Sequence, residues 1–238
     1  MPEKKTKTKT KAKKSSAGKK RLRPSVKIIL AVLAVLILVF AGIRIYRWNA
    51  QRGDSRVIVL VNPWNTVDNS DFTPSLQTVD GVQVDKSCAG ELEKLLADCR
   101  AAGVSIKLSA GYRSAEEQLQ VFEDEVSRQM QSGYSADTAY AMAEQNVGAS
   151  GTSEHELGLA VDVEGEAAQG WMQENAWRYG FILRYPEGSE AVTGRSADSA
   201  HFRYVGLTAA EQINSLGITL EEYMGMFYTQ DAEVEVTN

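Results

Sequence analysis

The sequence predicts an α+β domain held outside a membrane on one N-terminal span. Three observations lead there: a sharp change of charge along the chain, one long uncharged apolar run, and strand-like and helix-like segments that mix without a repeating strand-helix rhythm. Lys and Arg number 12 in residues 1–27 against a single acid, Glu3, whereas from Arg44 onward 14 basic residues face 30 acidic ones. The formal net charge of −5 is thus the sum of two unlike segments. No internal repeat is present.

Residues 1–26 are Lys, Thr, Ser and Ala with almost no large apolar side chain, too little to offset chain entropy, and are expected to form a disordered basic tail. The run Ile28 to Ile43 (IILAVLAVLILVFAGI) carries no polar side chain, and the span 27–45 approaches the roughly 20 residues a bilayer needs. Lys27 and Arg44 suit its two interfaces. Positive charge stays cytoplasmic, so the tail is expected inside and everything after Arg44 outside. A cleavable signal peptide competes with this reading, but no clear small-x-small site precedes Arg44. A buried core helix is the bland alternative. The tail's expected partner is the anionic inner leaflet rather than nucleic acid, since the exterior part is acidic.

Residues 46–56 read as a linker and 57–228 as the folded domain. VIVLVN, Val57 to Asn62, is a buried-strand candidate, followed by a loop-like stretch to Pro74. Val84 and Asp85 introduce a helix in which Leu92, Leu95, Leu96 and Cys99 recur at helical spacing, stopped by Gly103. A strand is expected from Ile106 into the turn GYRS, then helices over Ala115 to Gln131 and Ala136 to Asn146. GLAVDV follows as a strand, Gly170 to Tyr179 as a helix, GFILRYP and HFRYV as strands. Helices over Ala209 to Leu216 and Leu220 to Tyr228 close the domain, and residues 229–238 form an acidic, frayed tail. Cys88 and Cys99 lie on the exterior side, where disulfides are permitted. On one straight helix they would sit about 16 Å apart along the axis, two buried thiols beyond bonding reach; they could bond only if the helix began after Cys88.

The chain holds two histidines. His155 lies in SGTSEHELGLAVDV, seven residues before Asp162, and His201 lies in DSAHFRYVG. Alternation along a strand sends Ala160 and Asp162 to one side and Leu159, Val161 and Val163 to the other, so Asp162 leaves the apolar face. Gly158 and Ala160 lack bulk and let the chain pack closely. Imidazole and carboxylate are zinc ligands, and three such ligands with an open position suit a catalytic site. His-x6-Asp is a loose pattern, and a hydrogen-bonded packing histidine satisfies it too.

Ser153-x-His155-x-x-Gly158-x-Ala160-x-Asp162 resembles the SxHxxGxAxD signature of the zinc D-alanyl-D-alanine carboxypeptidases of the VanY type. Two further blocks occur in that family's order. SAGYRSAEEQ, Ser109 to Gln118, is similar to SGYRSxxxQ, and TGRSADSAHFRYVG, Thr193 to Gly206, to TGxxYEPWHFRYVG. The likeness runs over about residues 57–225. It implies an α+β fold with an antiparallel sheet and a Zn2+ ion held by His155, Asp162 and His201. It also implies Arg113 bracing the developing oxyanion, with Ser153 and Gln118 holding the peptide and Tyr185 lining the cleft. The implied substrate is a peptidoglycan stem peptide, whose terminal D-alanine is removed outside a bacterial membrane.

The chain departs from that pattern at the general base. The family's Glu, three residues before the last histidine, is here Asp198, followed by Ser199 and Ala200 in place of Pro and Trp. Asp keeps the charge but is one methylene shorter, and a displacement of about 1 Å can cost about a hundredfold in rate. Three functions therefore stand: an active D,D-carboxypeptidase, an L,D-carboxypeptidase or dipeptidase on the same site, and a catalytically impaired domain that binds wall peptides through zinc and Arg113.

Overall fold

The structure, a computed structural model, describes Leu33 and residues 56–69 and 72–227. Apart from Leu33, the basic tail and the apolar run lie outside the described residues, as do the acidic tail and all of the linker but Arg56. Among the described residues no helix is long and apolar enough to cross a membrane.

The first ordered pair of strands arises from a turn. Strands β1 (Leu76–Val79) and β2 (Val82–Asp85) pair antiparallel across Asp80 and Gly81, which both take positive φ, 49° and 89°. Two such residues form the tight turn that matches strand twist. The sequence reading placed no strand between Pro74 and Val84 and missed this hairpin. Asp85 then caps helix α1 (Lys86–Ala101) by accepting the Ser87 N–H at 2.8 Å. Its buried face carries Cys88, Leu92, Leu95, Leu96 and Cys99. Both cysteines sit on this one helix and are free thiols, as the straight-helix reading requires.

Strand β3 (Lys107–Ala110) leads through the GYRS turn into helix α2 (Ala115–Gln131), which a Ser114 and Glu117 capping box opens. Helix α3 (Ala136–Asn146) follows, capped by Ser135. These bounds agree with the periodicity. After strand β4 (Ala160–Glu164), helix α4 (Glu166–Asn175) starts four residues earlier than expected, and its continuation tightens into a 3-10 turn, Ala176–Tyr179, ended by Gly180 at φ 82°. Strand β5 (Phe181–Tyr185), the one-turn helix α5 (Glu190–Thr193), strand β6 (Asp198–Tyr204) and helices α6 (Leu207–Leu216) and α7 (Leu220–Phe227) complete the order.

Four strands form one sheet in the order β3-β4-β6-β5, antiparallel throughout, as expected. Its two faces differ because side chains alternate. Val161, Val163, Phe181, Phe202 and Tyr204 face a core shared with Leu92, Leu95 and Leu96 of α1 and Met172 of α4. Asp162, His201, Arg203 and Arg184 occupy the intervening positions of β4, β6 and β5. A second apolar cluster joins Ile58 and Ile182 to Ala209, Ile213, Leu220 and Tyr223.

VIVLVN is buried but is no strand. Arg56 and Val57 lie in a helical turn, residues 58–61 are irregular, and Asn62 makes only an isolated bridge to Asn65. The carbonyls that would pair with a neighbouring strand are bonded to side chains instead. Arg203 Nη2 donates to Val57 O at 3.0 Å and Val59 O at 2.9 Å, and Arg184 Nη2 to Val61 O at 3.5 Å. A buried carbonyl needs a partner, and two guanidinium groups supply it here.

Candidate metal centre

The register of β4 on β6 sets Asp162 directly opposite His201. His201 Nδ1 lies 2.9 Å from Asp162 Oδ1. His155 comes from a short 3-10 turn, Glu154–Leu157, that ends at Gly158 with φ 67°. A Cβ at Gly158 would lie 3.0 Å from the Asp85 backbone nitrogen, which itself donates to Gly158 O at 2.8 Å. The bulk missing at this position therefore lets the turn seat against the β2-α1 junction, rather than around an ion. His155 Nε2 reaches Asp162 Oδ2 at 3.2 Å, and the two imidazole rings stand 4.9 Å apart, nearly perpendicular.

One ligand atom from each of His155, Asp162 and His201 lies within 4.8 Å of the others, close to the spread that bonds of about 2 Å to a shared ion allow. The donor set fits zinc. His155 Nδ1 donates to Gly111 O at 2.7 Å, which leaves Nε2 with a free lone pair facing Asp162. The same turn is held reciprocally, since the Arg113 N–H donates to His155 O at 3.2 Å. Burial pushes the His155 pKa down, toward the neutral ligand form. Burial would raise the Asp162 carboxyl, but the two imidazoles against it hold it well below the usual carboxylate range. Burial likewise opposes charge on His201, yet its contact with Asp162 and the negative charge of Glu154 nearby outweigh that and push it up to about 9. A metal bound here would displace a proton from this residue.

The triad lines a cavity of about 90 Å³ together with Arg113, Ser153, Tyr185 and Asp198, so seven of the eight residues singled out in the sequence meet there. Arg113 donates to Asp162 Oδ2 at 3.2 Å from one nitrogen and to Gln118 Oε1 at 3.2 Å from another. Gln118 does not line the cavity. It is fully buried behind Arg113, and its amide donates to the carbonyls of Val147 and Gly148. Tyr185 stacks on His201 at 5.0 Å between ring centroids. Asp198 pairs with Tyr185 across the sheet, and its Oδ1 accepts the Ala200 N–H at 2.8 Å, which turns one oxygen back onto its own strand.

The sequence reading did not single out Arg195, which also lines the cavity and grips Thr152 through its carbonyl and hydroxyl at 2.8 Å. Nor did it single out Glu154, Arg184 and Arg203. All three are fully buried; Glu154 Oε1 takes Arg184 Nε at 2.8 Å and lies 2.9 Å from Arg203 Nη1. A larger groove of about 430 Å³, lined by Trp177, Ile182 and Ile213 among others, is separate from this chemistry.

The profile of the VanY family, D-alanyl-D-alanine carboxypeptidase, matches residues 81–207. A D-alanyl-D-alanine carboxypeptidase of Enterococcus faecalis is 36% identical over 183 residues, 73% of this chain and 68% of that protein. A solved structure of a mutant vancomycin-resistance D,D-pentapeptidase VanY, from a VanB-type resistance cassette and in complex with Zn(II), superposes with a TM-score of 0.68 at 36% identity, covering 71% of this chain and 99% of that one. The structure of VanYB in complex with D-alanine-D-alanine gives 0.68 at 35% identity, covering 72% and 98%. Shared sequence over more than half of the chain, together with a shared fold, makes this protein a member of the VanY family of D-alanyl-D-alanine carboxypeptidases.

Proposed function

We propose that the chain is a zinc-dependent D,D-carboxypeptidase that removes the terminal D-alanine from peptidoglycan stem peptides, tethered to the outer side of the membrane by residues 27–45 with the basic tail in the cytoplasm. The observation that carries the reading is the convergence of His155, Asp162 and His201, from a turn and two strands, on one small polar cavity. The zinc and D-alanine-D-alanine named for the VanY structures support metal and substrate. The uncharged run flanked by Lys27 and Arg44 supports the tether.

Zinc, when bound by the triad, supplies Lewis-acid polarisation and a lowered water pKa. The chain's own residues do the rest. Asp198 takes the proton of the attacking water and returns it to the departing amine. Arg113, fixed from behind by Gln118, offers a planar cation to the oxygen on which charge develops. Ser153 and Tyr185 border the space for the peptide's end.

The test uses the full chain in detergent, with metal analysis and mass-spectrometric product analysis on a pentapeptide ending in D-Ala-D-Ala. About one zinc per chain and release of D-alanine, abolished by chelator, are expected. Zinc without release would favour the impaired binding domain, and release only from peptides ending in an L,D bond would reassign the specificity.

A further inference from the structure

Behind the triad lies a buried cluster that the proposed chemistry does not use. Glu154 immediately precedes His155, and its side chain is wholly inaccessible. One carboxylate oxygen, Oε1, lies between Arg184 Nε at 2.8 Å and Arg203 Nη1 at 2.9 Å. The other, Oε2, is buried without a hydrogen bond and lies 3.5 Å from His201 Nε2, itself buried without one. Two orphaned polar atoms of complementary character therefore face each other. On its opposite side His201 turns Nδ1 to Asp162. The arginines are in turn immobilised: Arg184 grips both oxygens of Glu221 on α7, at 2.9 and 2.6 Å, and Arg203 holds the carbonyls of Val57 and Val59.

A neutral imidazole carries one proton, and its location decides which nitrogen can bind a metal. With the proton on Nδ1, His201 would face Asp162 and the ion with an N–H and could not ligate. With the proton on Nε2, it donates into the Glu154 carboxylate and leaves the Nδ1 lone pair for the ion. We propose that Glu154, clamped by Arg184 and Arg203, is a positioning residue that accepts the Nε2 proton of His201 and so fixes the tautomer and ring orientation in which Nδ1 is the metal ligand. The inference rests on the zinc reading above. Outer carboxylates of this kind tune affinity by about 10- to 100-fold in other metal sites.

The test follows from the chain having only two histidines. In the zinc-loaded full chain labelled with 15N-histidine, long-range 1H–15N spectra contain two imidazole patterns. His155 should appear with its proton on Nδ1 and His201 with its proton on Nε2. In Glu154→Gln, zinc affinity measured by competition with a chromogenic chelator should fall about 10- to 100-fold. Glu221→Gln also removes a carboxylate from Arg184 but leaves Glu154 in place, and should lower thermal stability while keeping zinc affinity within about threefold of wild type. A folded Glu154→Gln chain with wild-type affinity would overturn the inference, as would a proton on Nδ1 of His201 in the wild type, which decides the matter even where Glu154→Gln does not fold. A wild type that binds no zinc would instead remove the functional reading beneath it.

Discussion

Asp198 is the residue at which one methylene decides the most. Its carboxylate borders the cavity, but one oxygen is engaged by the Ala200 N–H of its own strand. Asp198→Glu adds the missing reach and breaks that short local ring, and is expected to raise kcat by about 100-fold on a D-Ala-D-Ala peptide, the scale of a 1 Å correction. Unchanged or lower turnover would show that the start of β6 already compensates. Arg113→Lys keeps the charge and loses the planar fork that spans Asp162 and Gln118. A fall of about 100-fold in kcat, with KM less affected, is expected in steady-state assays. The three residues of the triad were readable in the sequence because histidine is scarce and each lies in an ordered motif. Glu154 was not, because it stands at an unspecified position of the signature and acquires meaning only when Arg184, 30 residues on, folds against it. Gln118 was expected to hold the peptide, but it lies behind Arg113 with its amide bonded inside the protein.

At the scale of elements, the ligands depend on strand register. Asp162 opposes His201, and a slip of one residue would turn the ligand face toward the core. Helices α2 and α3, which back the cavity through Gln118 and Asn146, are tied by Glu125. It accepts Arg128, Gln129 and Asn146. The bond from Arg128 lowers its pKa from 4.5 to about 2. A lowered carboxyl contributes its full stability above the unfolded value and loses it as pH falls through the folded one. Stability should therefore drop between about pH 4.5 and 2, and the melting temperature of Glu125→Gln should vary less with pH across that window than wild type; equal slopes would deny the role. Helix bounds were legible from periodicity and caps. The β1-β2 hairpin carried its own signal, Asp-Gly between apolar alternations, and was passed over. VIVLVN misled because apolar runs report burial, and only the distant arginines decide whether its carbonyls meet a strand.

For the whole molecule, the sheet separates two kinds of interaction, with a continuous apolar core under one face and paired ions under the other. Stability is therefore expected to be linked to the metal. At zinc concentrations near 1,000 times Kd, binding contributes about 4 kcal/mol. Chelator should then lower the melting temperature by about 10 °C for a domain of this size, measured by calorimetry. An unmoved transition would mean the triad is not a binding site in the folded state.

The grip of Glu221 on Arg184 also sets an order of events during synthesis. Any nascent chain that has not yet produced α7 contains two guanidinium groups beside a single acid, and sealing them from water at that stage is strongly unfavourable. The strands bearing His201 and Asp162 are consequently held less firmly until α7 packs against them. A chain stalled short of α7 should therefore be cut by protease sooner than the finished one.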